Sequence, residues 1–538
     1  MSDVADEPRI ATFEDVKAAV ELREIPHRQP TRAKRLIMKC PVCRSEFTAT
    51  AIHQRGYLFL RCDTGCAPLA IAQELKLDGL LRGLSVGDDL GAKHGNQVRI
   101  AYQFANRFAG RVIHVHGLGW YWWDGHRWVD DRGDKRVTEY LLQTLRQALT
   151  ESLHDPELRK AVGQCETNGA MTGVLSIASK LPEFRVDPEE LDADPYLLNC
   201  ANGTLDLHEF VLRPHKPEDL LTKITDASFR EQPVDSSGDL IAGAWENFLA
   251  EVLPNEDVRE YLRRVIGMSL IGRQEQHKLP MLTGVGANGK STAVDAILYA
   301  LGSYAMAADP NLLTEGKTSS LGQVDLMGKR LAVVSETDKG AQMAEATAKQ
   351  LTGGDRIKAR KLYQDWVEFD PSHTLMMVTN HPPKVSGDDE ATWRRLTVIR
   401  FDVVIPEHKR DGRLPERLKL DAEAVLAWAV QGLADYQCDG LNPPDEVLLA
   451  TADYRRKSDH LGRFIAECCT TSSPVLKVAT AALFDEWGRW AAAEGCEPVG
   501  RNTFNELVAK RDGVTVTRSN GKHWFNGIGL KFGTDNDE

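Results

Sequence analysis

The sequence predicts a multidomain α/β protein whose central domain is a largely parallel sheet built around a glycine-rich loop. Three observations predict it. The segment GVGANGKST follows an apolar run and opens a helix. Apolar strand candidates at 330–335 and 373–379 then alternate with helical stretches, which is typical of parallel sheets. Four of the ten cysteines stand in two close pairs near the start, and these pairs predict a separate small module.

The composition of the 538-residue chain is that of a soluble globular protein. It is 42% hydrophobic and 27% charged, and no apolar run approaches the length of a membrane span. The opening residues MSDVADEPRI lack the layout of a signal peptide, so we expect a cytoplasmic protein. The net charge of −12 excludes a uniformly basic surface, so any contact with nucleic acid should be local.

Residues 1–85 carry a basic arm and then the cysteine cluster. Cys40 and Cys43 form C-P-V-C, and Cys62 and Cys66 form C-D-T-G-C after eighteen intervening residues. Two thiolate pairs on tight turns suit a tetrahedral Zn²⁺ site of the ribbon type, whereas a reducing cytosol disfavours disulfides. We therefore predict a zinc ribbon, with unrelated buried cysteines as the alternative.

Residues 97–230 are expected to form an α+β domain in front of the core. The region opens with helical VRIAYQFANRF, becomes aromatic and strand-like in WYWWDGHRWV, and closes with hairpin-like NGTLDLHEFVLRPHKP. Polar stretches at 83–96 and 230–239 separate it from its neighbours.

The third region, 240–420, contains the glycine-rich loop, and its G-x4-G-K-[ST] spacing is that of a phosphate loop. The glycines allow backbone N–H groups to curl around a polyphosphate. Lys290 would reach the β- and γ-phosphates, and Ser291 would bind Mg²⁺. The predicted ligand is therefore ATP with Mg²⁺. The predicted nucleotide-binding residues are Gly284, Gly286, Asn288, Gly289, Lys290, Ser291 and Thr292.

Polar residues near later strand ends would complete this site. Glu336 ends RLAVVSE, where a carboxylate can activate the attacking water, although Ser335 replaces the first acid of the usual pair. Asn380 ends HTLMMVTN and could sense the γ-phosphate. Arg394 and Arg395 could contact the γ-phosphate held by a neighbouring subunit. The alternatives are an exposed carboxylate, a structural loop end and an exposed basic pair.

A basic segment between the acid and the asparagine, KQLTGGDRIKARKLYQDWVEF, predicts contact with a nucleic acid backbone. Cations surround a Gly-Gly-Asp turn there, as in loops that grip phosphates. A solvated basic hairpin is the alternative. The predicted DNA-binding residues are Lys349, Lys358, Arg360 and Lys361.

The last region, 421–538, is expected to be a helical linker followed by a winged helix. Two helical segments, VLKVATAALFDEWGRWAAAEG and RNTFNELVAK, precede a hairpin that turns on Asn520 and Gly521. Basic residues on the second helix and the hairpin favour DNA as the partner, and protein is the alternative.

Several segments, in order, resemble the motifs of superfamily 3 helicases, most closely the phage, plasmid and poxvirus primase–helicase branch: GVGANGKST, RLAVVSE, KQLTGGDRIKARKLY, MMVTNHPP and WRRLTVIRF. The resemblance implies an AAA+-like core that assembles as a ring, usually a hexamer, around single-stranded or forked DNA and moves 3′ to 5′. The cysteine cluster resembles the zinc ribbons at the front of DNA primases. By motif position, the implied catalytic residues are Lys290, Glu336, Asn380 and either Arg394 or Arg395.

The interpretation that follows is a replicative helicase of a phage, prophage or plasmid, in a bacterial host or a virus-infected cell, with possible replication partners. A bifunctional primase–helicase, an ATP-controlled origin-binding initiator and an AAA+ machine acting on protein are the alternatives. Primer synthesis would need clustered carboxylates on strands to hold two metals. The candidates, Asp192 and Asp194, stand in the loop-like segment LDADP.

Overall fold

The structure is a computed structural model, and the chain divides into two compact units, Met1–Leu191 and Asp192–Glu538. Within the described residues no helix is both long and apolar enough to cross a membrane. The described residues are 13–29, 35–54, 57–62, 64, 66, 71–72, 74–75, 77, 94–230, 243–317, 322–335, 340–360, 366–385, 389–471, 473–495, 499–519 and 521–531.

The first unit starts with a small antiparallel module. Helix α1 (Phe13–Leu22) packs on a four-stranded sheet in the order β1-β2-β3-β4. Leu36 and Met38 alternate along β2 and are fully buried in one cluster with residues of α1. The strands are β1 (His27–Arg28), β2 (Arg35–Met38), β3 (Ala49–Gln54) and β4 (Tyr57–Cys62).

The rest of the first unit combines four helices with a second sheet, in the order β7-β6-β5-β8. Asp131 accepts hydrogen bonds from the backbone N of Arg136 and Val137, at 2.9 and 2.7 Å, and so satisfies donors that the start of α3 leaves unpaired. The elements are α2 (Asn96–Phe108), β5 (Val112–Val115), β6 (Gly119–Trp123), β7 (Trp128–Asp130), α3 (Lys135–Glu151), α4 (Pro156–Cys165), α5 (Asn168–Ala178) and β8 (Arg185–Val186).

The second unit begins with an antiparallel sheet that the sequence groups with the preceding region. Its strands, in the order β11-β10-β9, are β9 (Leu197–Cys200), β10 (Gly203–Asp206) and β11 (Val211–Arg213), and helices α6 (Ala244–Val252) and α7 (Glu256–Ser269) follow. The buried guanidinium of Arg330 donates to the carbonyl of Leu197 at 2.5 Å and lies 4.5 Å from the ring centre of Tyr304. This contact ties the small sheet to the central one.

The centre of the second unit is a five-stranded sheet in the order β13-β14-β17-β12-β18, with every neighbouring pair parallel. Its inner strands are buried along their whole length except at Ser335, because separate apolar clusters cover the two faces. The predicted parallel sheet is confirmed. Its strands are β12 (Leu279–Thr283), β13 (Ala305–Ala308), β14 (Leu331–Ser335), β17 (Thr374–Thr379) and β18 (Leu396–Arg400).

Three helices and a hairpin connect these strands. Helix α8 follows β12 directly, whereas α9 and the hairpin β15–β16 lie between β14 and β17. These connecting elements are α8 (Lys290–Leu301), α9 (Glu345–Leu351), β15 (Ile357–Arg360), β16 (Trp366–Phe369) and α10 (Glu390–Trp393).

The chain ends in helices and a compact module with an aromatic core around Phe464, Trp487 and Phe504. The two helices and the hairpin β21–β22 expected there are present, with Asn520 of the turn outside the described residues. Its sheet has the order β20-β22-β21, and β19 pairs with β23. The elements are α11 (Leu414–Leu420), α12 (Ala422–Asp439), α13 (Asp445–Ser458), α14 (His460–Cys468), β19 (Cys469–Thr470), β20 (Lys477–Ala479), α15 (Thr480–Ala493), α16 (Arg501–Ala509), β21 (Thr515–Ser519), β22 (Lys522–Asn526) and β23 (Gly529–Leu530).

Candidate functional site

The glycine loop, residues 284–289, connects β12 to α8. Three of its residues have left-handed backbone angles: Gly286 (φ 95°), Ala287 (φ 52°) and Gly289 (φ 81°). Such angles are costly for residues with a Cβ, so the two glycines suit this path. The loop turns sharply, and helix α8 begins at Lys290. The N-terminus of this helix is directed at the loop.

Close packing adds a second reason for glycine in this loop. A Cβ on Gly284 would lie 2.4 Å from the carbonyl oxygen of Phe401, and a Cβ on Gly289 would lie 2.6 Å from Cγ1 of Val252. Both distances are shorter than any normal contact. The spacing of the motif did not reveal this constraint, because Phe401 and Val252 are distant in sequence.

The ammonium of Lys290 is buried at the junction of the glycine loop and β17. Its Nζ donates to the carbonyl of Gly284 at 3.2 Å, to Oδ1 of Asn288 at 2.9 Å and to Oδ1 of Asn380 at 2.9 Å. Nδ2 of Asn288 in turn donates to the carbonyl of Phe401 at 2.7 Å. The structure therefore brings two predicted site residues, Lys290 and Asn380, into direct contact.

The strand register explains why these residues meet. Thr283 is level with Thr379, and Val378 is level with Ser335, so β12, β17 and β14 end at one edge of the sheet. The carboxyl ends of parallel strands are where α/β folds place their ligands. We call this side of the sheet the loop edge. Ser291 is exposed there, whereas Glu336, which follows β14, lies outside the described residues.

Arg394 and Arg395 lie at the opposite edge, between α10 and the start of β18. We call this side the arginine edge. The five residues of β18 run alongside β12, so the arginine pair stands about 16 Å from the glycine loop of its own chain. The side chain of Arg394 is exposed, and that of Arg395 is buried. Arg395 donates through Nε to Oγ1 of Thr352 at 3.2 Å and through Nη1 to the carbonyl of Ala391 at 2.5 Å.

Lys349, a predicted DNA-binding residue, is engaged in an ion pair. Its Nζ lies 2.6 Å from Oδ2 of Asp389, which also caps α10 through the backbone N of Ala391. Burial alone would raise the pKa of Asp389, but hydrogen bonds from Lys349 and Thr392 hold the pKa of this carboxyl well below its usual range. Lys349 therefore joins α9 to α10.

The hairpin β15–β16 presents the remaining basic residues together with an aromatic ring. Lys358 and Arg360 are exposed on β15, and Trp366, which is 51% exposed, stands opposite on β16. The guanidinium carbon of Arg360 lies 5.0 Å from the Trp366 ring centre, and Nζ of Lys358 lies 6.0 Å from it. Lys361 lies outside the described residues. The sequence motif contained Trp366, but only the pairing of the strands places its ring beside the cations.

The four cysteines predicted to bind zinc come together in the first unit. The sulfur atoms of Cys40, Cys43, Cys62 and Cys66 all lie within 4.8 Å of one another. Sγ of Cys43 is 3.7 Å from Sγ of Cys62, close to the ~3.8 Å that tetrahedral ligands at Zn–S bonds of ~2.3 Å would have. Hydrogen bonds from the side chains of Ser45 and Thr64 lower the pKa of Cys43 to about 5, which favours the thiolate that a metal needs. The cluster fits zinc.

The carboxylates considered for primer synthesis have structural partners. Asp192 accepts from the backbone N of Thr222 at 2.7 Å and lies 3.7 Å from Nζ of Lys223. Asp194 accepts from the backbone N of Tyr196 at 2.9 Å. Both hold the loop before β9 in place.

Comparison with known families gives two matches along the chain. Residues 101–254 match the family described as D5 N terminal like, and residues 282–395 match a family of unknown function, DUF5906. The second match begins in β12 and ends at Arg395, so it contains the glycine loop, β14, the hairpin and β17.

Curated proteins similar to this chain come from large DNA viruses. A putative helicase of Acanthamoeba polyphaga mimivirus is 26% identical over 439 residues, covering 73% of this chain and 44% of the viral protein. A putative helicase of Invertebrate iridescent virus 3 is 25% identical over 400 residues (67% and 42%), and a putative primase of African swine fever virus is 23% identical over 327 residues (55% and 33%). This chain spans less than half the length of each.

Among solved structures, the apo form of the C-terminal region of NrS-1 is similar to this chain. It is 12% identical, with 56% of this chain and 78% of that chain covered, and the TM-score is 0.34.

Proposed function

From the two family matches and the similarity to putative helicases and a putative primase of large DNA viruses, we propose that this chain belongs to the primase–helicase family. We propose further that it is an ATP-dependent replicative DNA helicase that acts as a ring of identical subunits. The observation that carries the proposal is the buried Lys290 ammonium, held between the glycine loop and Asn380. A desolvated cation beside several loop N–H donors is the arrangement that binds a polyphosphate.

Each residue of the loop edge has a role in this proposal. Lys290 exchanges its contacts with Gly284 and Asn288 for the β- and γ-phosphate oxygens. Asn380, released from Lys290, is then able to hydrogen-bond the γ-phosphate or the attacking water. Glu336, the residue after β14, polarises that water. Ser291 would hold Mg²⁺, which would supply neutralisation of the charge that develops on the phosphates.

The arginine edge completes the site of a neighbouring subunit. A guanidinium near the γ-phosphate stabilises charge in the transition state of phosphoryl transfer. Arg394 is exposed, but it stands a strand length away from its own loop. We therefore assign Arg394 to the loop of the next subunit, and Arg395 to holding α10 against Thr352.

DNA contact is assigned to the hairpin β15–β16 and zinc binding to the cysteine cluster. Lys358 and Arg360 supply charge for the phosphates, and Trp366 supplies a surface on which a base can stack. Metal analysis of the purified chain should find about one Zn²⁺ per chain, lost in Cys62→Ser and kept in Cys438→Ser, which changes an exposed cysteine outside the cluster.

The test of the main proposal is DNA-stimulated ATP hydrolysis together with unwinding of a forked duplex with 3′-to-5′ polarity. Lys290→Ala should lower ATP turnover by at least about 100-fold. Lys160→Ala, an exposed lysine of the first unit, is the matched control and should behave as wild type. Hydrolysis indifferent to DNA, with no unwinding, would contradict the proposal. A Lys290→Ala protein that still opened an origin would favour the initiator instead.

A bifunctional primase–helicase is the second candidate, favoured by the cysteine cluster and by the relatives named putative primase. Synthesis of primers from nucleoside triphosphates by the purified chain would establish it. If the same preparation unwinds DNA but makes no primers, the result would support the helicase function without the primase function.

A further inference from the structure

Helix α10 is too short to hold Arg394 rigidly by itself. It has four residues, Glu390–Trp393, and Arg394 follows as its C-cap residue. A single helical turn has little stability of its own, so the direction of the exposed Arg394 side chain depends on the elements packed against α10. The Lys349–Asp389 ion pair fixes the first end of this helix. Contacts from α13 fix the end that carries Arg394.

Helix α13 packs along β18, the edge strand of the central sheet that begins just after the arginine pair. The hydroxyl of Thr451 accepts a hydrogen bond from the backbone N of Val398 at 2.9 Å and donates to the carbonyl of Val447 at 2.7 Å. A backbone donor of the edge strand is thereby paired with a side chain of α13. The helix is therefore fixed to the strand that leads away from Arg394.

Tyr454 lies one helical turn after Thr451 and contacts the last residue of α10. Its ring meets the buried Trp393 ring edge-on, with the ring centres 5.2 Å apart and the planes at 68°. Burial raises the pKa of Tyr454, so its hydroxyl stays protonated and donates to the carbonyl of Pro383. This hydrogen bond fixes the orientation of the Tyr454 ring, and the ring in turn supports the residue that precedes Arg394.

Arg455 adds a charged contact to the same support. Its guanidinium pairs with Glu390 at 2.5 Å, and its guanidinium carbon lies 5.9 Å from the Trp393 ring centre. The next residue, Arg456, pairs instead with Asp453 of its own helix. These two adjacent arginines of α13 therefore have carboxylate partners on different helices, which makes them a matched pair for mutation.

We propose that Tyr454 is a positioning residue for Arg394: it acts through Trp393 and holds the guanidinium where it can enter the nucleotide site of the neighbouring subunit. The inference rests on the proposed function, in which Arg394 stabilises the γ-phosphate of that subunit. A misplacement of about 1 Å in an active site can lower a rate by about 100-fold. Loss of the Tyr454 ring should therefore lower ATP turnover, whereas ATP binding depends on the loop edge and should be kept.

Steady-state ATP turnover of the full chain with single-stranded DNA tests the assignment. Tyr454→Leu should lower kcat by about 10- to 100-fold and leave the KM for ATP unchanged. Tyr454→Phe keeps the ring and should retain most of the turnover. Arg455→Ala should lose a few-fold, the effect of one exposed ion pair, whereas Arg456→Ala is the matched control and should behave as wild type.

Mixing experiments separate a positioning role from a merely structural one. A Tyr454→Leu subunit keeps an intact loop, so the addition of Lys290→Ala chains, which supply a well-placed Arg394, should restore turnover. The addition of Arg394→Ala chains should not, because every interface then lacks a well-placed arginine. A variant that fails to fold or to assemble would recover with neither partner.

Three results would overturn the inference: wild-type turnover in Tyr454→Leu, recovery of that variant with Arg394→Ala or with neither partner, and equal losses in Tyr454→Phe and Tyr454→Leu. The last result would assign the effect to the hydroxyl and Pro383. Equal turnover of Arg455→Ala and Arg456→Ala would remove Arg455 from this support. Failure of the proposed function is distinguishable, because Lys290→Ala and Arg394→Ala would then fail to restore each other.

Discussion

The two edges of the central sheet are built in opposite ways. At the loop edge the functional groups contact one another: Lys290 reaches Asn380, and Asn288 reaches the carbonyl of Phe401. At the arginine edge most cations hold the protein together. Lys349 pairs with Asp389, Arg395 is buried against Thr352, and the side chain of Arg394 remains exposed.

This difference agrees with the proposed division of the active site between the two edges. A phosphate-binding pocket must be organised before its ligand arrives, because donors that are already in position have no reorganisation to undergo during the reaction. A residue that acts on a neighbour must instead project from a rigid support. The buried Arg395 and the Lys349–Asp389 pair provide such a support for Arg394, so the contrast predicts different consequences for changes at the two edges.

The largest effect is expected from Arg394. Arg394→Ala should reduce ATP turnover by about 10³-fold, because an arginine that stabilises the transition state contributes at least this much in related phosphoryl-transfer sites. Mixing the Arg394→Ala and Lys290→Ala proteins should restore activity. At some interfaces of a mixed ring, the intact loop of an Arg394→Ala subunit faces the intact arginine of a Lys290→Ala subunit. About a quarter of the sites would be functional in a random mixture. ATP turnover of the mixture is the measurement.

Two controls sharpen this experiment. Each variant alone at the same total concentration should remain inactive, and a chain carrying both substitutions should rescue neither. If the mixture is no more active than its components, Arg394 acts on its own loop or on none, and the assignment across subunits is wrong.

Arg395 should affect stability. Arg395→Ala leaves Oγ1 of Thr352 and the carbonyl of Ala391 without their buried donor and should lower the free energy of unfolding by about 2 kcal/mol. Arg394→Ala should unfold at the same denaturant concentration as wild type. The comparison needs only denaturant titrations of three proteins. If the two variants were equally stable, the assignment of a stabilising role to Arg395 and not to Arg394 would be wrong.

A smaller effect should distinguish Lys358 from Lys349 within the basic segment. Lys358→Ala should weaken binding to single-stranded DNA a few-fold and reduce the slope of log Kd against log salt by about 0.7, the value for one phosphate contact. Lys349→Ala should leave that slope unchanged, because its ammonium is paired with Asp389. Fluorescence anisotropy across a salt series measures both. A larger change in slope for Lys349 than for Lys358 would reverse the assignment.

The last prediction concerns acid sensitivity at the arginine edge, where His373 precedes β17. Burial lowers the pKa of His373 to about 4, below its ordinary value near 6.5. The unfolded chain therefore takes up the proton first, and stability present above pH 6.5 is lost as the pH falls towards 4, by at most about 1.4 kcal/mol per pH unit. His373→Gln should flatten this part of the stability profile. Identical slopes in the two proteins would place the acid sensitivity elsewhere.

Local pattern was sufficient to predict the loop edge in outline. The glycine loop, Lys290 at a helix start and Asn380 at a strand end each follow from a few consecutive residues, and parallel strands bring such ends to one edge. The strand order β13-β14-β17-β12-β18 could not be predicted in the same way. It depends on which apolar faces pack together, and that packing involves residues far apart in the chain.

The limit of prediction from local sequence is clearer at the arginine edge. The basic neighbours of Lys349 in sequence predict a DNA contact, and the ion pair that the structure shows joins it to Asp389, forty residues away. Arg394 and Arg395 are adjacent and chemically equivalent in the sequence, and only the structure distinguishes the exposed Arg394 from Arg395, which is buried against Thr352. The sequence carries no local signal for these long-range contacts.

Strand β18 connects the two edges through a single stiff segment. One end leads to the Phe401 carbonyl that accepts from Asn288 of the glycine loop, and the other follows Arg394, whose carbonyl accepts from Lys278 at 2.8 Å. In a closed assembly built as we propose, each such strand would span from one reaction centre to the next. Neighbouring reaction centres would then be coupled to each other through a strand of only five residues.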